Sequence, residues 1–329
     1  MRTIVTGGCG FIGSHLTELL LHEGHEVTVI DNLSTGRMLN LEHLSNFKTL
    51  KIVEADISEF GKIETCFKDI DWVFHLAALA DIVPSIEHPF IYHKANVDGT
   101  ISVLEASRKH NIKRFIYAAS SSCYGIPDTY PTPEIAEIKP QYPYALTKNI
   151  AEQYVYYWHQ IYHLPITSLR FFNVYGPRSR TSGTYGAVFG VFLAQKLNHK
   201  PFTIVGDGQQ TRDFTFVTDI VNACFMAAGN NNAIGQIMNV GSGNTYSILQ
   251  LTELLGGEVI HIPKRPGEPE STFADITKIR KVLNWNPKVS FQEGVKIMLE
   301  NIEYWREAPL WEPKSIEIAT QDWFKYLSK

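Results

Sequence analysis

Apolar residues in the first half of the chain fall into short, dense runs separated by longer stretches with helical spacing. The runs are RTIV, EVTVID, LKIVEAD, DWVFHLAA, RFIYAAS and PITSLRFF, beginning at residues 2, 26, 50, 71, 114 and 165. They read as strands. Between the first two lies SHLTELLLHEGHEV, which places Ile12, Leu16, Leu19 and Leu20 on one helical face and Gly24 at its end. Strands alternating with helices predict βαβ units with right-handed crossovers and a doubly wound parallel sheet, an α/β fold. Such sheets bind ligands beyond the C-terminal ends of their strands. Those positions hold Gly7 to Gly13, Asp31, Asp56, Ala77 to Ala80, Ser120 to Ser122 and Asn173. After residue 175 the texture changes. YGPRSRTSGTYG is a Gly/Arg-rich loop, and shorter, mixed elements follow. The expected division is a first domain over 1–174, rejoined by a segment near 211–241 in which GQIMNVG returns to the main sheet. A smaller α/β domain then covers 175–329. No Pro- or Ser-rich linker separates the two, so a cleft between closely packed halves is the expected ligand site.

The stretch TGGCGFIG turns the first strand directly into the first helix. The glycines Gly7, Gly10 and Gly13 let the backbone approach a pyrophosphate, and the N–H groups of the helix end at Phe11 and Ile12 favour an anion. An ordinary tight bend is the plain alternative. Asp31, at the end of the second strand, follows at roughly the 20-residue interval at which a carboxylate grips an adenosine ribose. It should repel a 2′-phosphate, so NAD is expected over NADP. The adjoining DNLSTG, with Asn32, Ser34, Thr35 and Gly36, is expected to curl over the adenosine end, near Arg37.

Composition excludes several classes. A formal net charge of −4 without a basic block argues against nucleic acid. No apolar run is long enough to span a bilayer, and the N-terminus reads as a strand rather than a signal peptide, so no membrane association is expected. Cys9, Cys66, Cys123 and Cys224 are scattered, and the 12 histidines form no cluster with metal-ligand spacing. Reduced thiols, a cytoplasmic location and no metal are the expectation.

The stretch YPYALTKNIAEQY sets Tyr144 and Lys148 one helical turn apart on the same face. A phenol is a poor base at neutral pH. A neighbouring ammonium and a bound nicotinamide cation would both favour the phenolate and make it a usable general base. By itself the pair could be an exposed helix pair. YAASSSCYG adds three hydroxyls at the end of the fifth strand, where Ser120 could bond a substrate oxygen and share its proton with Tyr144. A polar strand-end turn is the bland reading of these serines.

TGGCGFIG, DNLSTG, YAASSSCYG and YPYALTK together resemble the extended short-chain dehydrogenases/reductases, which have a Rossmann-type sheet. LRFFNVYGP, IVGDGQQTRDFTFVTDIVNA, MNVGSGNTYSILQL and RPGEPESTFADITKIRKVLNWNP continue the likeness to the nucleotide-sugar branch, and within it to UDP-sugar 4-epimerases. The resemblance implies a catalytic trio of Ser120, Tyr144 and Lys148, and inversion at C4 through a transient 4-keto sugar as hydride passes to NAD and back. It implies that Gly7, Gly10 and Gly13 bind the NAD pyrophosphate and that Asp31 and Asn32 bind the ribose. Asp56 and Ile57 would flank the adenine, while Ala77, Ala78 and Asn96 line the cofactor. Asn173, Arg212 and Arg265 would hold the substrate diphosphate, beside Ser121 and Ser122. A surface salt bridge is the alternative for Arg212, which adjoins Asp213. Dehydratases of the branch carry an Asp–Glu pair, and decarboxylases a Glu, where this chain has Ser121 and Ser122, which disfavours elimination. A net C4 dehydrogenase and, behind it, a 4,6-dehydratase are the remaining enzymatic alternatives; a non-catalytic dinucleotide sensor would be expected to lack the trio.

Three further expectations follow from the resemblance. Helices near 92–109 and 143–162 would pair with their copies in a homodimer. Thr272 stands where strict galactose/glucose epimerases carry a bulky tyrosine, which would leave room for an N-acetyl group. The tail EAPLWEPKSIEIATQDWFKYLSK exceeds the usual family end; its residues 314–327 have helical spacing and are expected to form an extra helix over the smaller domain, or else an oligomer contact.

Overall fold

A computed structural model describes residues 1–179 and 187–328. Part of the Gly/Arg-rich loop expected after residue 175 lies outside the described residues. The six apolar runs form β1 (Arg2–Thr6), β2 (Glu26–Asp31), β3 (Leu50–Glu54), β4 (Trp72–His75), β5 (Arg114–Ser120) and β6 (Ile166–Phe171). A later strand, Gln236–Val240, joins them beside β6. The sheet order is Gln236–Val240, β6, β5, β4, β1, β2, β3, and every pairing is parallel. Chain order reverses between β1 and β4, the crevice where an open α/β sheet binds its ligand.

Both faces of the sheet are covered, which is why its strands carry so few exposed polar positions. On one face α1 (Phe11–His22) and the helix Val217–Gly229 pack together over Val5, Val29 and Leu169. On the other, the helices Gly99–Lys109 and Pro143–Tyr162 cover Ile4, Val73 and Phe115. A third cluster belongs to the later part of the chain. Three two-stranded pairings, Asn173–Tyr175 with Phe214–Phe216, Phe202–Val205 with Val259–Ile262, and Thr211–Arg212 with Tyr246–Ser247, enclose it together with the helix Phe291–Glu300. Aromatic rings fill it: Tyr175 stacks on Phe189 at 4.6 Å and Phe214 on Phe291 at 5.2 Å.

The tail departs from expectation. Its helical stretch divides into Pro313–Ala319 and Gln321–Leu327 at Thr320, whose hydroxyl bonds back to Ile316 O. The first helix buries Ile316 in the later cluster, but the second packs on the helix Ile82–Glu87, which follows β4. The tail therefore reaches across to the sheet half instead of only covering the smaller one. Among the described residues no helix is long and apolar enough to cross a membrane.

Candidate active site

A cleft of about 720 Å³ runs along the C-terminal strand ends, between the sheet and the later elements. At one end lies the glycine turn. Gly7 has φ +72°, and a Cβ there would stand 2.8 Å from the Ala77 backbone, two residues past the end of β4. A Cβ on Gly13 would collide with Gly7 O. Bare Cα atoms are therefore required for β1, α1 and the strap after β4 to meet this closely. Gly10 caps α1 without a side-chain bond, so the N–H groups of the first helical turn have no capping side chain. A cradle of that shape and polarity fits a pyrophosphate.

Asp31 ties this turn to the next loop. Its carboxylate accepts from Cys9 N and Leu33 N, both at 2.9 Å. Burial pushes its carboxyl up, and these two N–H donors oppose that. Asn32, Ser34 and Thr35 line the cleft beside it, with Asp56, Ile57, Ala77 and Ala78 farther along. Two expected cofactor residues do not line the cleft. Gly36 packs against the Asp31 carboxylate. Asn96 is buried behind the wall, where its amide bonds Leu79 N and O and Thr147 Oγ1 at 2.8–2.9 Å. It pins the strap after β4 to the helix Pro143–Tyr162, a role that local sequence does not reveal.

The helix Pro143–Tyr162 starts with Pro143 in its first turn and brings Tyr144 and Lys148 beneath the end of β5. Ser120 and Ser122 share a hydroxyl bond of 2.8 Å. Burial raises the Tyr144 phenol, while hydrogen bonds with Ser120 and Ser122 lower it. Lys148 donates to Ala118 O and lies 4.4 Å from the Tyr117 ring centre. Burial drags its pKa down to about 7, and the Glu152 carboxylate resists this. Glu152 is one further turn along the same face and forms a buried pair with Arg170, 2.6 Å apart. The sequence signal for Glu152 was there: residues 144, 148 and 152 repeat every four positions. At Tyr144 burial outweighs the two serine hydrogen bonds, so the phenol is raised overall.

At the far end of the cleft stand Asn173, Arg212, Arg265 and Thr272. Arg212 is buried and pairs with Glu268 at 2.8 Å rather than with Asp213. Asp213, between the short strands Thr211–Arg212 and Phe214–Phe216, turns away and accepts from Ser242 N and Ala274 N at 2.6 and 3.0 Å. Arg265 lies 3.8 Å from the same Glu268. Glu268 was missed in the sequence; its second carboxylate oxygen is buried without a hydrogen-bond partner. Thr272 Oγ1 donates to Asn173 Oδ1 at 2.6 Å and accepts from Asp213 N at 3.1 Å. Two arginines, an amide and a hydroxyl thus face the trio along one cleft, a donor set suited to phosphate oxygens and a polyol.

The GDP-mannose 4,6 dehydratase family model matches residues 4–298. A UDP-glucose 4-epimerase of Mycolicibacterium smegmatis is 36% identical over 316 residues, covering 93% of this chain and 99% of its own. Among solved structures, the UDP-N-acetylglucosamine 4-epimerase of Methanobrevibacter ruminantium in complex with UDP-N-acetylmuramic acid is 34% identical with a TM-score of 0.87, over 92% of this chain and 98% of that one. The UDP-glucuronic acid 4-epimerase of Bacillus cereus, in complex with UDP-glucuronic acid and NAD, is 33% identical with a TM-score of 0.86, over 92% and 99%. Strand order, glycine turn and Tyr–Lys helix agree with what these matches extend over nearly the whole chain: it belongs to the GDP-mannose 4,6 dehydratase family, in the nucleotide-sugar branch of the extended short-chain dehydrogenases/reductases.

Proposed function

We propose that this protein is an NAD-dependent nucleotide-sugar 4-epimerase acting on UDP-hexoses, N-acetylhexosamines included. The observation that carries this reading is the composition of the strand end facing Tyr144. Ser120, Ser121 and Ser122 line the cleft there with no acid among them. A hydroxyl at that end supports oxidation and re-reduction of a secondary alcohol, and elimination lacks its acid–base pair. The relatives with UDP-sugars or NAD in their names support the substrate class and the cofactor.

NAD, held by the turn of Gly7, Gly10 and Gly13 and by Asp31, supplies reversible hydride acceptance at C4. The chain's own residues do the rest. Tyr144 takes the proton of the sugar 4-hydroxyl and later returns it, with Ser120 bonded to the same oxygen. Lys148 sits one turn below as the positive charge of the pair. Arg212, Arg265 and Asn173 hold the diphosphate, so that binding energy is placed away from the reacting carbon and the 4-keto sugar is free to turn over. The sheet half, residues 1–174 with the returning strand Gln236–Val240, carries the cofactor and the trio, and the later residues to 329, Arg212 among them, carry the substrate together with Asn173. The four cysteines are free, which supports a reducing, cytoplasmic setting.

Incubation with UDP-, GDP-, CDP- and dTDP-sugars, followed by NMR, tests the reading. Inversion at C4 of a UDP-sugar without net growth of NADH absorbance is the expected result. Steady NADH growth would identify a net dehydrogenase, and loss of water a dehydratase.

The protein is also inferred to be a homodimer. The outer face of the helix Pro143–Tyr162 carries Tyr157, Ile161 and Tyr162, 53, 52 and 45% exposed, and the neighbouring helix Pro89–His93 carries Phe90 at 88%. An aromatic patch of this kind is costly to leave in water. A dimer mass by light scattering at micromolar concentration is expected; a monomer mass would refute it.

A further inference from the structure

Trp323 lies beyond residue 298, where the family match ends, yet its ring lines the same cleft as Tyr144. It is 4% exposed, on a helix whose Tyr326 faces solvent. Three contacts use different parts of the one indole. Its N–H donates to Pro266 O at 2.7 Å. Its face lies 5.4 Å from the Arg265 guanidinium carbon. Its ring centre is 6.4 Å from that of Tyr142, which in turn stacks on Tyr144 at 6.3 Å. The next turn of the helix supports the same stretch, since Leu327 borders Gly267, a residue with φ +68°.

Residues 265–269 form no helix or strand. This stretch therefore lacks a ladder of its own to fix it, yet it presents Arg265 and Glu268 to the cleft. An arginine left free loses rotamer freedom when it grips an anion. One already laid over an indole is preorganised. The geometry points to Trp323 as a positioning residue for the substrate: it holds the 265–268 turn, and through it the Arg265 guanidinium, where the diphosphate of the nucleotide sugar binds. The tail is then a working wall of the substrate end. This rests on the nucleotide-sugar reading of the cleft.

The test is calorimetric titration of UDP, GDP, CDP and dTDP into the NAD-loaded protein. Wild type, W323A, W323L, W323F, R265A and R265A/W323A are compared for whichever nucleotide binds wild type best. W323A and W323L should weaken that nucleotide by about 3- to 30-fold, the range of a lost cation–π contact. W323F, which keeps a π face, should recover most of the loss. On the R265A background W323A should add no more than about twofold. KM for the sugar nucleotide should rise more than kcat falls, with bound NAD unchanged. Wild-type affinity in W323L, or a full additional loss on the R265A background, overturns the inference and leaves the functional reading standing. A wild-type protein that binds none of the four nucleotides overturns both. W323L, close to the indole in apolar character, decides the matter if W323A does not fold.

Discussion

The two ends of the cleft are made in different ways. The cofactor end is shaped by backbone. Gly7, Gly13 and Ala77 meet at distances that no side chain would permit, and Asp31 closes the turn through N–H groups of Cys9 and Leu33. The substrate end is shaped by side chains whose partners are far away in sequence: Arg212 with Glu268, Thr272 with Asn173, and the Trp323 indole with the Pro266 carbonyl, separated by 56, 99 and 57 positions. A backbone cradle tolerates almost no change but holds a common ligand. Paired side chains can be exchanged one at a time, which is how one fold serves many sugars.

The sharpest break in this comparison is at its seam. Tyr144 is the group expected to act on substrate from the cofactor side. Tyr144→Phe removes one oxygen and leaves the ring on Tyr142. It should fold and retain NAD, and its turnover should fall by about 10²–10⁴-fold, the usual contribution of an acid–base group. Single-turnover kinetics with NMR detection of epimer would check it, and turnover near wild type would remove Tyr144 from the mechanism.

Lys148 offers the next largest effect, in stability. Its folded pKa is lowered to about 7 from 10.5 by burial. Between those values the unfolded chain binds more protons than the native one, so wild-type stability rises with pH across that window and the cost is full below it. Lys148→Met lacks this term. Its stability relative to wild type should be most favourable at pH 7 and below and should decline towards pH 10, by roughly 3–5 kcal/mol over the window. Urea unfolding at pH 6.5, 8 and 9.5 would show the trend. A difference independent of pH would mean that Lys148 is not carrying a buried charge. The same variant should lose activity, the trade of stability for function expected at a catalytic charge.

This contrast also explains what the sequence made legible. The six apolar runs and the glycine turn are local patterns, and each appears where its spacing put it. Tyr144, Lys148 and the serines come together in one cleft, as a strand end and one helix turn, local patterns too, led one to expect. Glu268 was missed because only its meeting with Arg212 and Arg265 gives it meaning. Asn96 was misplaced into the cleft because its partners, Leu79 and Thr147, come from other elements. Arg212 could not be told from a surface ion pair until Glu268, 56 positions away, was seen to take it and Asp213 was seen bonded to Ser242 and Ala274 instead. The tail was read as cover for the smaller half because its helical spacing says nothing about which face receives Trp323.

The smallest predicted effect is the most specific to the substrate end. Thr272 stands where a tyrosine is expected in strict hexose epimerases, and it lines the cleft. Its hydroxyl is also engaged, donating to Asn173 Oδ1 at 2.6 Å. A change here therefore acts in two ways, by bulk and by loss of that bond. Overpacking costs about 1–3 kcal/mol, and a lost hydrogen bond about 0.5–1.5 kcal/mol. Thr272→Val removes the bond at nearly constant size. It should lower kcat/KM for UDP-glucose and UDP-N-acetylglucosamine alike, by about 2- to 10-fold. Thr272→Tyr adds bulk, which only the acetamide should feel, so UDP-N-acetylglucosamine should fall by a further 5- to 150-fold or so while UDP-glucose stays near the valine variant. Equal losses on both sugars in Thr272→Tyr would show that the residue holds Asn173 in place without gating sugar size.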